Sequence, residues 1–438
     1  MHPNQLNETS RRGFLATTAK SCFGLTIGGA AASFFSQRGM AADPTVIASG
    51  GGKATSVIYL FMSGGMTHLD TFDPKPEAAS NIRGDCRAIS TKVDGIQLGH
   101  CLPKLAAQMD HVALIRSMTT TQGAHAQGRY YMRTGYAQRS SIVHPSPGAW
   151  AGRLGGKTKG ELPGYVTVNC GSEHPGAGFM EAQYAPLPLG NASSGLLNSR
   201  RRGISEGGFD QQLTLRQQLD AEFDARFIKG QKKVRDYNEA FSAAVRLMKS
   251  KDLEAFDLSQ EGQEVHKLYG SASFSKGLLL ARRLVERGVR FIEVEFGGFD
   301  WHADNFGAME EKIPVLDQAL AALLQDLKIK GLLDSTLVVL GTEFGRSPKV
   351  NENAGRNHYP KAFSCMMAGG GIKGGQAYGS TDATGASVIS ENKVIAPDFN
   401  ATIAHALGLP HDQIIESPSK RPFRMGGRKG KPITKLFA

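Results

Sequence analysis

Six stretches of nearly unbroken apolar residues, most of them closed by glycine, limit what this chain can fold into. They are "TSVIYLFMSGG" (Thr55 to Gly65), "HVALIRSM" (His111 to Met118), "GYVTVNCG" (Gly164 to Gly171), "VRFIEVEFGG" (Val289 to Gly298), "STLVVLGTEFG" (Ser335 to Gly345) and "AFSCMMAGGG" (Ala362 to Gly371). Strands buried on both faces read as continuous rather than alternating hydrophobicity, so these are expected to be core strands of a parallel sheet. Helical patterns lie between them. From Phe306 to Leu333, residues Ile313, Leu316, Leu320, Leu323, Leu324 and Leu327 share one helical face. Leu213 to Lys249 and Gly262 to Arg287 are long, charged and amphipathic, and are read as a helical insertion over about 205–288. Gly176 to Phe209 is rich in Gly, Ser and Asn and is read as a long loop. The alternation predicts an α/β fold with a doubly wound, mostly parallel sheet covered by helices on both faces.

Composition sets the outer bounds. The 438 residues suffice for one large domain or two, and 40% hydrophobic with 21% charged residues is a globular balance. The formal charge of +11 is concentrated at the ends: +3 in the first 42 residues and +7 after Glu416, leaving about +1 for the body. That excludes a basic nucleic-acid-binding body. The tail, 417–438, is read as a solvated basic end, with a weak contact to anionic lipid or cell wall as the other reading.

The first 42 residues carry "SRRGFLA", then a mildly apolar run from Cys22 to Phe35, then "GMAADP". A twin arginine, a short apolar region and small residues at a cleavage site, in that order, describe a bacterial twin-arginine export signal. The expected location is periplasmic or secreted, and no integral membrane segment is expected in the mature protein, since the run is short for a span. The mature domain is then 43–438. Of its four cysteines, Cys86, Cys101, Cys170 and Cys365, none forms a C-x-x-C pair, so a zinc ribbon is not expected. In an oxidising compartment Cys86 and Cys101 could bridge, while Cys170 and Cys365 read as small core residues.

Open α/β sheets build their sites beyond the carboxyl ends of the strands. The residues found there are His68, Asp70 and Asp73 after the first run, and His125 and Arg129 after the second. Asp300, His302 and Asp304 follow the Val289 run, and Glu343 and Arg346 end the Ser335 run. Arg356 and His358 come just before the Ala362 run. Imidazoles and carboxylates gathered on one edge suit a divalent metal, Zn or Mn foremost, Fe also, and Ca less well. Arg129 and Arg346 would add planar donors for a tetrahedral oxyanion. Asp70 and Asp73 have a second reading as turn-fixing residues before Pro74, and Trp301 as a packed loop residue rather than a stacking platform. Asp317 reads as an internal cap or pair. "GGGIKGG" reads as a tight turn more readily than as a phosphate cradle.

These residues resemble a known arrangement. The block from Phe296 to Gly371 looks like the C-terminal half of the alkaline phosphatase superfamily, which also holds sulfatases. "DWHAD" stands before the long helix, "GTEFG" where that superfamily has Asp-His-Gly, and "NHYPKAFSCMMAGGG" supplies His358. "HAQGRYYMRTG" matches the sulfatase frame, with His125 at the nucleophile's position and Arg129 at the arginine's. "FMSGGMTHLDTFDPKP", "DWHADN", "GTEFGRSPKVN", "GRNHYP" and "GGGIKGGQAYGSTD" resemble more closely a bacterial family catalogued as domain of unknown function fifteen-oh-one, over nearly the whole mature chain.

The resemblance implies an alkaline phosphatase-like fold and a metal held by Asp300, His302, Glu343, His358 and His125. His125, Arg129 and Arg346 would be the catalytic group. Departures limit this. Gly64 or Gly65 stands where the usual Asp would be, Phe344 replaces a ligand His, no Ser, Thr or Cys occupies the nucleophile position, and the formylglycine pattern of sulfatases is absent. An intact two-zinc phosphatase site is therefore not expected, whereas a rearranged one is. The implied activity is metal-dependent hydrolysis of phosphate or sulfate esters on an anionic small molecule or glycan. The alternative is a non-catalytic relative that binds an anionic glycan or an envelope partner.

Overall fold

A computed structural model of the protein describes residues 52–438 except 157, 159, 197, 198, 200–202, 228–231 and 390. The expected export signal over 1–42 lies outside the described residues.

All six apolar runs become strands of one eight-stranded sheet. The strands are β1 (Ser56–Met62), β2 (Val112–Met118), β3 (Tyr165–Val168), β4 (Leu187–Leu189), β5 (Phe291–Phe296), β6 (Thr336–Thr342), β7 (Phe363–Ala368) and β8 (Gln376–Tyr378). Their spatial order is β8-β2-β7-β6-β1-β5-β3-β4. β1 lies in the middle, parallel to β5 (Val57 opposite Phe291) and to β6 (Ser56 opposite Thr336). β7 alone runs the other way, antiparallel to both β2 and β6. Two edge strands had no apolar run to announce them. β4 falls inside the segment read as a loop, and it has three residues with only Leu189 buried, too short for periodicity to register.

The longer helices of the sheet body are α1 (His125–Thr134), α2 (Pro147–Gly155), α5 (Ser273–Glu286), α6 (Asn305–Ile329) and α7 (Ala396–Ala406), with α3 (Glu206–Phe227) and α4 (Lys232–Lys249) between α2 and α5 in the chain. Alternation along β1 divides its burial between the two faces. Val57, Tyr59 and Phe61 join one core with Met132 of α1, Trp150 of α2, and Phe399 and Ile403 of α7. Ile58, Leu60 and Met62, equally sealed, point to the opposite layer, where α5 packs on β5 and on α6. Each such side chain contributes roughly 1.5–3 kcal/mol of transfer free energy. α6 keeps the predicted apolar face, with Ile313, Leu316, Leu320, Leu323, Leu324 and Leu327 all buried. It starts at Asp304, whose left-handed backbone (φ 44°) lets its carboxylate accept from the Gly307 N–H.

Among the described residues, Ser194–Glu254 forms a compact unit of its own, holding α3 and α4. Inside it Lys249 pairs with Asp210 at 2.5 Å, and the Arg216 guanidinium lies 3.3 Å over the Phe241 ring. The insertion expected over about 205–288 thus compares with a unit that ends before α5, which belongs to the sheet body.

The basic tail is not a solvated end. Phe423, Met425, Ile433 and Leu436 are buried in the same core as Tyr59. Backbone bonds tie it down as well: Lys431 N–H donates to Asp398 at 2.9 Å and Ile433 N–H to Thr402 at 3.0 Å. Its charged side chains, such as Arg421, Arg428 and Lys429, face outward. No helix among the described residues is long and apolar enough to cross a membrane. Cys86 and Cys101 are both free thiols and buried, and burial pushes Cys86 up to about 12. Cys365 is a core residue as expected, whereas Cys170 is only partly covered.

Candidate metal centre

The site begins where β1 ends. Gly64 and Gly65 turn with φ of 116° and 77°, and a Cβ on Gly64 would stand 2.6 Å from the Phe299 nitrogen. Only glycine lets the chain pass there. The Gly64 N–H donates to Glu343 Oε1 at 2.7 Å, and the carbonyls of Gly64 and Gly65 accept from Arg346. Glu343, at the end of β6, is completely buried, and the same Oε1 lies 2.9 Å from His125 Nδ1. Its place is therefore behind the imidazole, where it orients the ring.

His125 opens α1. Ala124 provides no side-chain cap, so the first N–H groups of the helix have no intrahelical partners. The helix closes on Gly135 in the left-handed region (φ 72°), whose N–H returns to Tyr131 O. Gly128 lets α1 lie directly on Glu343 and Phe344, since a Cβ there would meet Glu343 Cβ at 3.0 Å. The bond from Glu343 raises His125 above the ordinary imidazole range, against the pull of burial. His125 Nε2 is sealed from solvent and makes no hydrogen bond, although Asp300 Oδ2 is only 3.1 Å away.

Asp300 is the common neighbour. Its Oδ1 lies 3.0 Å from His302 Nε2, 3.2 Å from His358 Nε2 and 2.5 Å from an Arg346 nitrogen. Burial opposes its ionisation, but Arg346, His125 and His358 outweigh that and hold it at about 2. His358 Nδ1 donates to the Gly123 carbonyl at 2.9 Å, which leaves Nε2 with a bare lone pair. His302 Nδ1 faces Asn357 Oδ1 at 3.3 Å, and its Nε2 stands 3.0 Å from His358 Nε2. Burial sets His358 below its ordinary range, with the Arg346 charge adding to it.

The donor set fits a divalent cation. For bonds of 2.0–2.1 Å, ligand atoms around a Zn-sized ion stand roughly 3.0–3.4 Å apart. Two imidazole nitrogens confronting each other with a carboxylate beside them have that spacing, as does the orphaned His125 Nε2. Ligand atoms of His125, Asp300 and His358 all lie within 4.8 Å of one another. Glu343, expected as a ligand, stands instead on the far side of His125.

The two arginines are engaged differently from the expectation. Arg346 is almost fully buried and all five donors are committed: Nε to Gly65 O, Nη1 to Arg356 O and toward His302, Nη2 to Gly64 O and Asp300. It has none left for a substrate anion. Arg129, one turn beyond His125, pairs with the exposed Glu173. One turn further, buried Arg133 bonds Glu293 and Glu295 of β5, both at 2.7 Å, and stacks over Phe61 at 4.1 Å. Glu293 also meets His174 Nε2 at 2.9 Å, and Arg133 with His174 overcomes burial to hold it at about 2. This lock on α1 escaped the sequence reading, as did Asn357 behind His302. The signal was present in "FIEVEF", where an acid within a buried strand demands a buried partner, and in the i, i+4, i+8 spacing of His125, Arg129 and Arg133.

Other candidates stay outside the cluster. Asp70 forms a fully buried bidentate pair with Arg356, with Asn305 and Thr67 completing its bonds. Asp73 is held by Lys75, Arg116 and Thr381. Both anchor the loop after β1 to distant segments through side-chain bonds. Asp317 accepts from the backbone N–H groups of Lys104 and Leu105, the internal cap expected of it. Trp301 leans on Phe299 at 5.3 Å. Phe344 is a buried floor under His125 (5.1 Å) and His358 (4.6 Å). In "GGGIKGG", Gly369 and Gly370 pack against Leu333, Leu337 and Ala54 and Gly374 against the Asp110 carbonyl, at the opposite edge of the sheet, so they cradle nothing at this site.

Fold and site together define a mixed α/β protein whose mostly parallel sheet carries a histidine–carboxylate cluster along one edge. The chain belongs to the family described as protein of unknown function DUF1501, whose model matches residues 54–437. No curated protein sequence matches it. Among solved structures it is similar to the lipoteichoic acid synthase LtaP from Listeria monocytogenes, with 11% identity and a TM-score of 0.36 over 91% of this chain and 80% of that one. It is similar to the PsFucS1 sulfatase from Pseudoalteromonas sp., with 15% identity and a TM-score of 0.35 over 78% and 69%. It is also similar to alkaline phosphatase from the Antarctic bacterium TAB5, with 12% identity and a TM-score of 0.33 over 75% and 94%.

Proposed function

We propose that this protein is an exported, metal-dependent hydrolase of phosphate or sulfate esters. One observation carries the reading: the Nε2 atoms of His302 and His358 confront each other at 3.0 Å beside Asp300. With each Nδ1 turned outward, the two Nε2 atoms meet there either across a shared proton or as lone pairs joined by a cation. His125, His302, His358 and Asp300 would hold it, and the donor set favours Zn or Mn. A cation bound there supplies Lewis-acid polarisation of an ester oxygen and acidifies water.

The protein's own groups do the rest. Glu343 fixes the His125 tautomer and ring plane through Nδ1. Arg346 positions Asp300 and is not a substrate contact. The uncapped N–H groups of α1 favour an anion arriving beside His125. Arg129 is the guanidinium within reach of such an anion, because its bond to exposed Glu173 is a surface pair worth only ~0–1 kcal/mol. His125 then serves as ligand rather than nucleophile.

A non-catalytic binding role is the second reading, favoured by Phe344 filling the floor and by Arg346 being spent internally. Metal analysis of protein matured through its own export route decides first. A stoichiometric Zn or Mn that disappears in His358→Ala, with turnover of an aryl phosphate or sulfate, is the expected result. Protein with no bound metal and no stimulation by any added one overturns the proposal.

A further inference from the structure

The surface holds two adjoining cavities, of about 320 and 340 Å³, the first lined by residues close in the chain to His125 and His358 though by neither of these two. They share Tyr131 and Ile395, so they run on as one groove. The first opens between the loops that carry His125 and His358. Thr119, Thr120 and Thr121 line one wall and Lys361 the other, three residues past His358. Thr120 N–H to Pro360 O at 2.9 Å and His358 Nδ1 to Gly123 O at 2.9 Å stitch those loops together. The second continues along α1, where Tyr131 lies ~9 Å down the axis from His125 at 1.5 Å per residue.

Three kinds of chemistry line the groove. The first is charge: Lys361 and Lys393 in one cavity, Arg139, Arg421, Arg428 and Lys429 in the other, with no carboxylate residue among the lining. None of these six side chains has an ion-pair partner among the described residues. The body, with a net charge near +1, contributes three of them, and the folded tail brings the other three alongside. The second is a hydroxyl wall, Thr119 to Thr121 with Ser387. The third is aromatic. Tyr136 stacks flat on His144 (4.5 Å, 5° between planes) with Phe423 edge-on at 5.3 Å, and Tyr131 joins the two cavities.

We infer that this groove binds an anionic saccharide chain, so that the hydrolase reading above, on which the inference rests for the bond cut, concerns a polymeric rather than a small substrate. Cations recognise the anionic substituents, hydroxyls the sugar hydroxyls, and aromatic faces the apolar faces of the rings. A phosphate-only polyanion would leave the tyrosines without a role, and a flat lipid surface would not enter two concave cavities. Each cavity is large enough to take a drug-sized group. The substituent, sulfate or carboxylate, is read out by ligand choice.

Binding is measured by calorimetry on the full mature protein in EDTA, so the outcome does not depend on turnover. The ligands are a heparin-derived hexasaccharide, its desulfated form with the carboxyl groups also reduced so that the chain carries no anionic substituent, a galacturonate hexamer, polyphosphate, single-stranded DNA, and vesicles containing anionic lipid. At least one charged hexamer should bind about ten-fold or more tighter than the desulfated chain and tighter than polyphosphate, a gap of about 1.4 kcal/mol. Arg139→Ser/Arg428→Ser/Lys429→Ser and Lys361→Ser/Lys393→Ser change exposed side chains only, and each should weaken that binding about ten-fold and flatten its salt dependence. Equal binding of the desulfated chain, unchanged affinity in both variants, or preference for polyphosphate, DNA or vesicles overturns the inference. Turnover of small esters without chain binding sinks this inference alone, and chain binding without metal or turnover sinks the hydrolase reading alone.

Discussion

His302 and His358 point their Nε2 atoms at each other across 3.0 Å, while each Nδ1 faces an oxygen, Asn357 Oδ1 and Gly123 O respectively. The outer partners fix which nitrogen looks inward. A pair prepared in this way should gain stability from a cation. Titrating Zn or Mn into metal-stripped protein is expected to raise Tm with the logarithm of concentration, about 2.7 kcal/mol at a hundred-fold excess over Kd. His358→Ala should abolish the rise. A Tm indifferent to both metals would contradict the assignment.

Gly128 sets how closely α1 lies on Glu343 and Phe344. Gly128→Ala places a Cβ 3.0 Å from Glu343 Cβ and 3.1 Å from the Phe344 ring. The expected cost is about 1–3 kcal/mol of stability, since the neighbours are buried and cannot yield freely. Metal affinity should fall with it, because His125 moves with the helix. Isothermal titration alongside chemical denaturation separates the two, and unaltered metal affinity would show that the helix position is not critical.

Asp70 and Arg356 are both sealed from solvent. Asp70→Ala leaves a buried guanidinium with its charge uncompensated, a loss of about 3–5 kcal/mol. Urea denaturation should show a lower midpoint with an unchanged slope. Arg356 also supplies the carbonyl that anchors Arg346, so the variant should bind metal more weakly even where it is folded.

His144 gives a pH signature remote from the cluster. Its Nδ1 accepts from the Tyr130 hydroxyl at 2.7 Å, which requires the neutral ring. Burial, helped by Arg139, lowers it to about 4. The unfolded chain binds a proton at this site below its ordinary value of about 6.5, whereas the folded one does not until about 4. The resulting stability is whole above pH 6.5 and is lost as pH falls to 4, on the order of 2–3 kcal/mol. In His144→Gln that part of the acid slope in Tm should vanish; an identical slope in both proteins would refute the account.

The sheet was legible because strands buried on two faces cannot hide: each of the six apolar runs became one. The direction of β7 was not, since hydrophobicity carries no polarity of the chain. The docking of the tail escaped for a related reason, as Phe423, Met425, Ile433 and Leu436 are isolated apolar residues in a basic background. At the site, the residue types after each strand pointed to the edge where the histidine–carboxylate cluster gathers. Their roles depended on which atom faces which partner. Glu343 stands behind His125 rather than beside Asp300, and Arg346 is consumed by backbone carbonyls of glycines whose own turn had to be seen first.

The reversal of β7 gives the two rims of the sheet separate fates. One rim gathers the ends of β1, β2, β5 and β6 with the beginning of β7, and His358 belongs to it because the chain enters β7 there. The other receives Gly369, Gly370 and Gly371, wedged against the starts of β1 and β6. Substitutions at those glycines are filtered by whether the polypeptide matures at all. Substitutions around His358 are filtered by what the finished molecule can hold. The protein can thus change its ligand while keeping its means of closure, and the two histories should leave their marks at opposite ends of the same strand.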